Sequence, residues 1–257
     1  MRISGLVYLL LISGLAAQKM TGYQIMEQAL TRSSWDDMQA DMQIILRNAR
    51  GDQRVRDIAF YSSDDEHGLN RMLMRFMAPA DVKGTSFLTL ETSGEDDEQY
   101  LYLPALRRVK KIASSGSGGN FMASDFTFYD IGMPDLEDWT YTLLGEEEKK
   151  GQVCYKIECL PITEKMLDDT GYGKIIRWVE KEGLNTIFSE YYDKELTRWK
   201  ELDVVEMELI KGVDFATDMV MKDLQTGHTS EMKFLNLKVD TGIPDNFFSV
   251  RFLQRGR

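Results

Sequence analysis

From residue 38 onward the apolar side chains fall at every second position. Met38, Ala40, Met42, Ile44 and Leu46 alternate with mainly polar neighbours. A strand sends successive side chains to opposite faces, so this spacing predicts a half-buried β-strand and excludes an amphipathic helix. The period of two returns with Ile58 and Phe60, with Met72, Met74 and Phe76 across from Arg71 and Arg75, and with Met219 and Met221 in ATDMVMKDL. Turn residues punctuate it: NARGDQ after the first segment, Pro79 after the third, Glu182-Gly183 and Asp193-Lys194 within 174–210, and Gly227 before SEMKFLNLKV. Two short strands flank Pro104 in 98–113, and 139–162 reads as a hairpin with an acidic turn between Gly145 and Gly151. The total is roughly ten or eleven strands, joined as an antiparallel meander with one wet face and one apolar face. No linker is long enough to divide the chain.

Few helices are expected, and ADVKGT after Pro79 reads as a turn or short helix. Residues 21–34 place Ile25, Met26, Ala29 and Leu30 on one stripe behind a Thr21 N-cap. Residues 243–255 read as a short helix or turn that packs Phe247, Phe248 and Phe252. Before both stands Met1-Arg2 and an apolar run, 3–15, too short to span a bilayer, followed by Gly14, Ala16 and Ala17. That is the pattern of a cleavable signal peptide, expected over 1–17, with an exported single domain over 18–257. The formal charge of −11 argues against nucleic acid as a partner. Cys154 and Cys159, if on one extended strand, sit about 16 Å apart on opposite faces and stay as free thiols.

Catalytic signatures are absent: no Gly-x-Ser-x-Gly elbow, phosphate loop, dinucleotide fingerprint or His-Glu-x-x-His occurs. His67 and His228 fall in turn-like contexts and read as solvated loop residues, without ligands around them for a metal. The acidic runs at 95–98 and 167–169 lack the spacing of a calcium loop. The expectation is therefore a protein with no cofactor, no metal and no enzymatic activity. The enzymatic alternative is a lipid hydrolase using Ser117 or Ser124 beside Asp125, with His228.

Three features carry more. Fifteen methionines, six of them at alternate strand positions (Met38, Met42, Met72, Met74, Met219 and Met221), form a flexible, polarisable face. Such a face suits either a core or an apolar ligand of variable shape. Arg107, Arg108, Lys110 and Lys111 concentrate four positive charges in an acidic chain, which fits an anionic head group, a partner, or an edge strand protected from aggregation. The stretch GSGGNFMASDFTFYDIG, 116–132, runs from Gly116, Gly118 and Gly119 into Phe121, Met122, Phe126 and Phe128.

Together MRFMAPADVKGTSFL (74–88), YLYLPALRRVKKI (100–112), FMASDFTFYDI (121–131) and FFSVRFL (247–253) resemble the outer-membrane lipoprotein-sorting proteins, the LolA-like family, over roughly 20–255. The resemblance implies a mainly β (α+β) fold: a large, curved, unclosed antiparallel half-barrel whose concave face is covered by helices. It also implies a periplasmic carrier that shelters acyl chains of lipids or lipoproteins, with an inner-membrane transporter or an outer-membrane acceptor as further partners; the non-enzymatic alternative is a protein-interaction module of an envelope lipid transporter. On that reading Met42, Ile44, Leu46, Ile58, Phe60, Met72, Met74, Phe76, Phe121, Met122, Phe126, Phe128, Met219 and Met221 are the cavity candidates. Arg107, Arg108, Lys110 and Lys111 are candidates for head-group or partner contact, and Gly116, Gly118 and Gly119 for a hinge.

Overall fold

Thirteen strands, two more than the upper expectation, hydrogen-bond into one sheet among the residues that the computed structural model describes, 19–30, 35–94, 96–132 and 135–255. The expected signal peptide lies outside them, as do residues 31–34 of the predicted N-terminal helix. The strands are β1 (Asp37–Arg47), β2 (Gln53–Asp64), β3 (Asn70–Ala78), β4 (Ser86–Leu90), β5 (Glu98–Leu103), β6 (Arg108–Ile112) and β7 (Trp139–Lys149). After them come β8 (Gln152–Pro161), β9 (Lys174–Glu180), β10 (Thr186–Tyr192), β11 (Arg198–Ile210), β12 (Val213–Asp223) and β13 (Thr229–Val239). The higher count arises because each short alternating segment, including both flanks of Pro104, pairs as a strand of its own. The helices are α1 (Gly22–Leu30), α2 (Phe128–Ile131), α3 (Glu164–Thr170) and α4 (Val250–Arg255).

The spatial order is β6-β5-β4-β3-β2-β1-β13-β12-β11-β10-β9-β8-β7. Two meanders, β1 to β6 and β7 to β13, are sewn together where β1 pairs with β13, and β6 and β7 remain as open edges. Register turns the alternation of single strands into a continuous apolar face. Met42 lies opposite Ile58 and Phe234, Met74 opposite Phe60 and Phe87, and Met219 opposite Met232. Bulges at Gln39/Asp41 in β1 and at Val204/Glu206 in β11 add local bend and twist, which rolls the sheet around that face.

Two pieces fill the concave side. One is α1, whose Thr21 Oγ1 accepts from Gln24 N at 3.2 Å while Gln24 Oε1 accepts from Thr21 N at 2.9 Å, a reciprocal cap. Its first residue, Gly22, lies against β7 so closely that a Cβ would stand 2.7 Å from the Tyr141 carbonyl oxygen. Ile25 and Met26 are fully buried there, worth about 1.5–3 kcal/mol each. The other piece is the stretch between β6 and β7, which contains α2 and short 3-10 turns.

One expected cover lies on the other side. α4 and the turn before it place Phe248 and Leu253 on Leu73 and Leu88, which point away from the concave core. The phase of the alternation decides this: Leu73 falls between Met72 and Met74, and its partner Leu88 follows Phe87, so both take the phase opposite to the inward residues. No helix among the described residues is long and apolar enough to cross a membrane.

Candidate functional site

The segment between β6 and β7 enters the concave face nose first. Phe121 N donates to Phe126 O at 2.7 Å and Phe128 N to Gly119 O at 3.0 Å, closing a tight loop. Phe121 is fully buried, with its ring 5.1 Å from Phe87, 5.4 Å from Phe128 and 6.2 Å from Phe76. Met122 and Ala123 follow in the left-handed region, at φ 48° and 59°, a conformation that costs roughly 1–2 kcal/mol per non-glycine residue. What holds it is Arg56 of β2, whose guanidinium donates to the Met122 carbonyl. At the next turn Thr127 and Asp130 cap α2 reciprocally, at 3.0 and 2.8 Å.

Of the three glycines, Gly118 lies against the end of α3. Gly118 N donates to Asp169 O at 2.7 Å, and a Cβ on Gly118 would stand 2.8 Å from both the Asp169 and Thr170 carbonyl oxygens. Only glycine permits that approach. Gly116 and Gly119 take part in the preceding turn, through Gly116 N to Ala113 O at 2.8 Å and Gly119 N to Gly116 O at 3.1 Å.

A polar seam pins the same segment to the sheet. Asp125 Oδ2 accepts from Ser230 Oγ at 2.6 Å and lies 2.7 Å from His228 Nδ1. The Asp125 carbonyl accepts from the buried Lys200 Nζ at 2.7 Å. Burial pushes the Lys200 pKa down, and the ammonium lies 4.1 Å from the Trp199 ring centre. His228 is thus a partner of Asp125 rather than a solvated loop residue, because pairing of β12 with β13 carries it across more than a hundred residues of sequence. His67 stays in an exposed turn. Ser124 Oγ donates to Phe121 O at 2.7 Å and Ser117 Oγ to Asp169 O at 3.0 Å, so each candidate hydroxyl donates to a carbonyl. That is not the nucleophile and base arrangement of a hydrolase.

Beneath the segment lies a cavity of about 390 Å³, near the lower end for sites that hold small ligands. Of the sequence candidates, Phe60, Met72, Met74, Phe126, Met219 and Met221 line it. Met42, Ile44, Leu46, Ile58, Phe76 and Phe121 are buried in the surrounding core, and Met122 and Phe128 pack on that core while half-buried. Met38, Met232, Phe234 and, from α1, Met26 complete the apolar wall.

The opposite wall was not predicted. It carries Tyr129, Tyr141, Tyr191, Trp139, Cys159 and Arg177. The signal for it was present in β9, where Ile175, Arg177 and Val179 alternate inward and an arginine occupies an apolar phase. Arg177 is half-buried and lines the cavity. Burial works to lower its pKa, but Tyr191, Cys159, Tyr129 and Tyr141 work the other way and the net direction is up. Burial also lifts the Cys159 thiol to about 11 and raises the phenols of Tyr129, Tyr141 and Tyr191. At neutral pH this ring is therefore uncharged around a charged guanidinium.

The carboxylates on the same wall are committed elsewhere. Asp130 Oδ2 accepts from Thr127 N and from Tyr172 Oη, each at 2.8 Å, and Asp135 Oδ1 accepts from Glu137 N at 2.9 Å. Among the described residues no carboxylate forms an ion pair with Arg177. A buried charge without its counter-ion costs several kcal/mol.

The two cysteines are free and buried on opposite faces, as their spacing requires: Cys159 in the cavity wall and Cys154 against Trp178 and Phe188. Arg107, Arg108, Lys110 and Lys111 are exposed on edge strand β6 and the turn leading into it. Lys111 pairs with Glu98 at 2.6 Å and lies 5.7 Å from the Tyr100 ring centre.

Comparison with known proteins places this architecture. A family model described as that of an uncharacterized protein matches residues 68–255. An outer membrane lipoprotein-sorting protein domain from Vibrio parahaemolyticus is 31% identical, with a TM-score of 0.85 over 91% of this chain and 98% of that one. A DUF1329 family protein from Desulfovibrio piger is 29% identical, with a TM-score of 0.84 over 90% of this chain and 97% of that one. A LolA superfamily protein from Nitrosomonas europaea shares the fold, at 19% identity and a TM-score of 0.71 over 91% and 100% of the two chains. No curated protein matches.

Proposed function

This chain belongs to the outer-membrane lipoprotein-sorting family, and from that premise we propose that it is a periplasmic carrier holding acyl chains of lipids or lipoproteins. The chains lie between the sheet and the segment 116–132, which acts as a flap turning on Gly116, Gly118 and Gly119. The protein delivers them toward, or maintains, the outer membrane without chemical change to the cargo. The observation that carries this reading is the cavity itself, bounded on one side by methionines from α1, β1, β3, β12 and β13. Methionine adapts to chains of differing shape. An acyl chain in water costs about 0.8 kcal/mol per methylene, so a dry groove is all that such a carrier must supply.

Arg107, Arg108, Lys110 and Lys111 are the docking charges of this carrier. Their exposure on an open edge lets them meet an anionic head group or an acidic surface of a membrane transporter or acceptor. The test of the carrier reading is lipid extraction from natively purified protein, read by mass spectrometry, together with uptake of a fluorescent fatty acid. Reproducible copurification of acyl lipids is the expected result. Their absence, with no uptake, would overturn it.

A further inference from the structure

Resting on the carrier reading, we propose that Arg177 is an anion subsite inside the cavity, and that the cargo is a single acyl chain ending in a carboxylate or phosphate buried with it. A neutral lipid would leave the guanidinium unmatched. The chemistry comes from the wall. Arg177 is the charged group of a ring whose other members, Tyr129, Tyr141, Tyr191 and Cys159, are neutral at physiological pH. A guanidinium presents a planar fork that pairs with both oxygens of a carboxylate or phosphate, and phenols beside it can donate to the same oxygens.

The wall across the cavity is methionine and phenylalanine, suited to methylenes. The cavity is therefore polarised along one direction, charge at β9 and apolar contact toward β3 and β12, as an amphiphile is. Its volume of about 390 Å³ suits one chain better than a lipid with several. Asp130 and Asp135 share the wall but are held by Thr127, Tyr172 and Glu137. They repel an anion from their own positions and leave Arg177 as the point of attachment.

The experiment measures displacement of a fluorescent fatty acid by four ligands of equal chain length: the fatty acid, its methyl ester, the fatty alcohol and the alkyl phosphate. Wild-type protein, Arg177→Met and Arg177→Lys are compared, with circular dichroism to establish that each variant is folded. In wild type the acid or the phosphate should bind at least about tenfold tighter than the ester and the alcohol, the equivalent of one charge-assisted hydrogen bond. Whichever of the two wins identifies the head group. Arg177→Met should abolish the preference, bringing the acid and the phosphate to the level of the ester and the alcohol, and Arg177→Lys should restore part of it.

Equal binding of acid and alcohol by wild type would overturn the subsite and leave the carrier reading standing, as would a preference that survives Arg177→Met. Failure of all four ligands to bind would overturn both.

Discussion

The two faces of the one sheet meet their apolar side chains in opposite ways. Among the described residues, the two buried patches on the convex side are sealed. Phe248 and Leu253 close over Leu73 and Leu88, with Arg71 lying 4.9 Å from the Phe248 ring centre and Arg75 5.2 Å from that of Phe252. The second patch, around Trp178 and Phe188, is roofed by Lys149, 4.5 and 3.6 Å from their ring centres. These cations keep a route to water or an acidic partner, as Arg71 does through Asp245 at 2.9 Å.

On the concave side α1 and the inner segment do not fill the space, and a cavity remains with a guanidinium in its wall. The contrast teaches that the opening is not a shortage of apolar residues. Among the described residues, it is what a curved sheet leaves when a short helix and a tight loop fill its concave side.

The comparison breaks most severely at the ring that anchors the inner segment. Phe121→Ala removes a fully buried ring touching Phe76, Phe87 and Phe128 and should cost about 3–5 kcal/mol in urea unfolding. An alanine as well tolerated as one at an exposed site would mean that the segment is not packed as described. Arg177→Met should move the other way, raising unfolding stability by about 1 kcal/mol or more, because a buried charge lacking a counter-ion is replaced by an apolar side chain of similar size. A loss of stability there would mean that the guanidinium is matched within the fold.

On the convex side the decisive group is Asp37. Its Oδ1 accepts from Thr241 N and Oγ1 at 2.8 Å, and its Oδ2 from Gly242 N at 2.7 Å and Ile243 N at 3.2 Å, tying down the strand end that leads to α4. Burial works to raise its pKa, the bonds from Thr241, Gly242 and Ile243 outweigh it, and the net direction is downward. A carboxylate whose folded pKa lies below its unfolded value, near 3.9, adds stability that is complete above that value. The contribution is lost as pH falls through the lower, folded pKa. Asp37→Asn should therefore destabilise by about 1–3 kcal/mol at neutral pH, with a difference from wild type that shrinks as the medium is acidified below about pH 4. A difference independent of pH would sink that account.

The smallest effect belongs to neither face. Arg107→Glu with Arg108→Glu, both exposed at the open edge, should shift stability by no more than about 0.5 kcal/mol while weakening binding to anionic vesicles. A larger destabilisation would reassign those arginines to the fold.

Much of this architecture was legible in the sequence alone. Alternation at 38–46, 72–76 and 219–221 determined which side chains share a face, since the period of a strand is two wherever the strand ends up. Pro79 ended β3, Thr21 capped α1, and the spacing of Cys154 and Cys159 put their thiols on opposite sides. The aromatic stretch after the glycines also carried its apolar character on its surface. What alternation could not supply was closure. Pairing of β12 with β13, with the inner segment folded back onto the sheet, brings His228 and Ser230 onto Asp125, and pairing of β8, β9 and β10 assembles Cys159, Arg177 and Tyr191 into one wall.

Nor does the pattern reveal whether an inward face will be filled. That depends on the curvature of the whole sheet and on the volume of α1 and the inner segment together, quantities that belong to no single stretch of chain. An arginine in an apolar phase of β9 was written in the sequence throughout. Only the tertiary structure surrounds it with neutral phenols and a thiol, because the groups that decide its chemistry come from four separate segments.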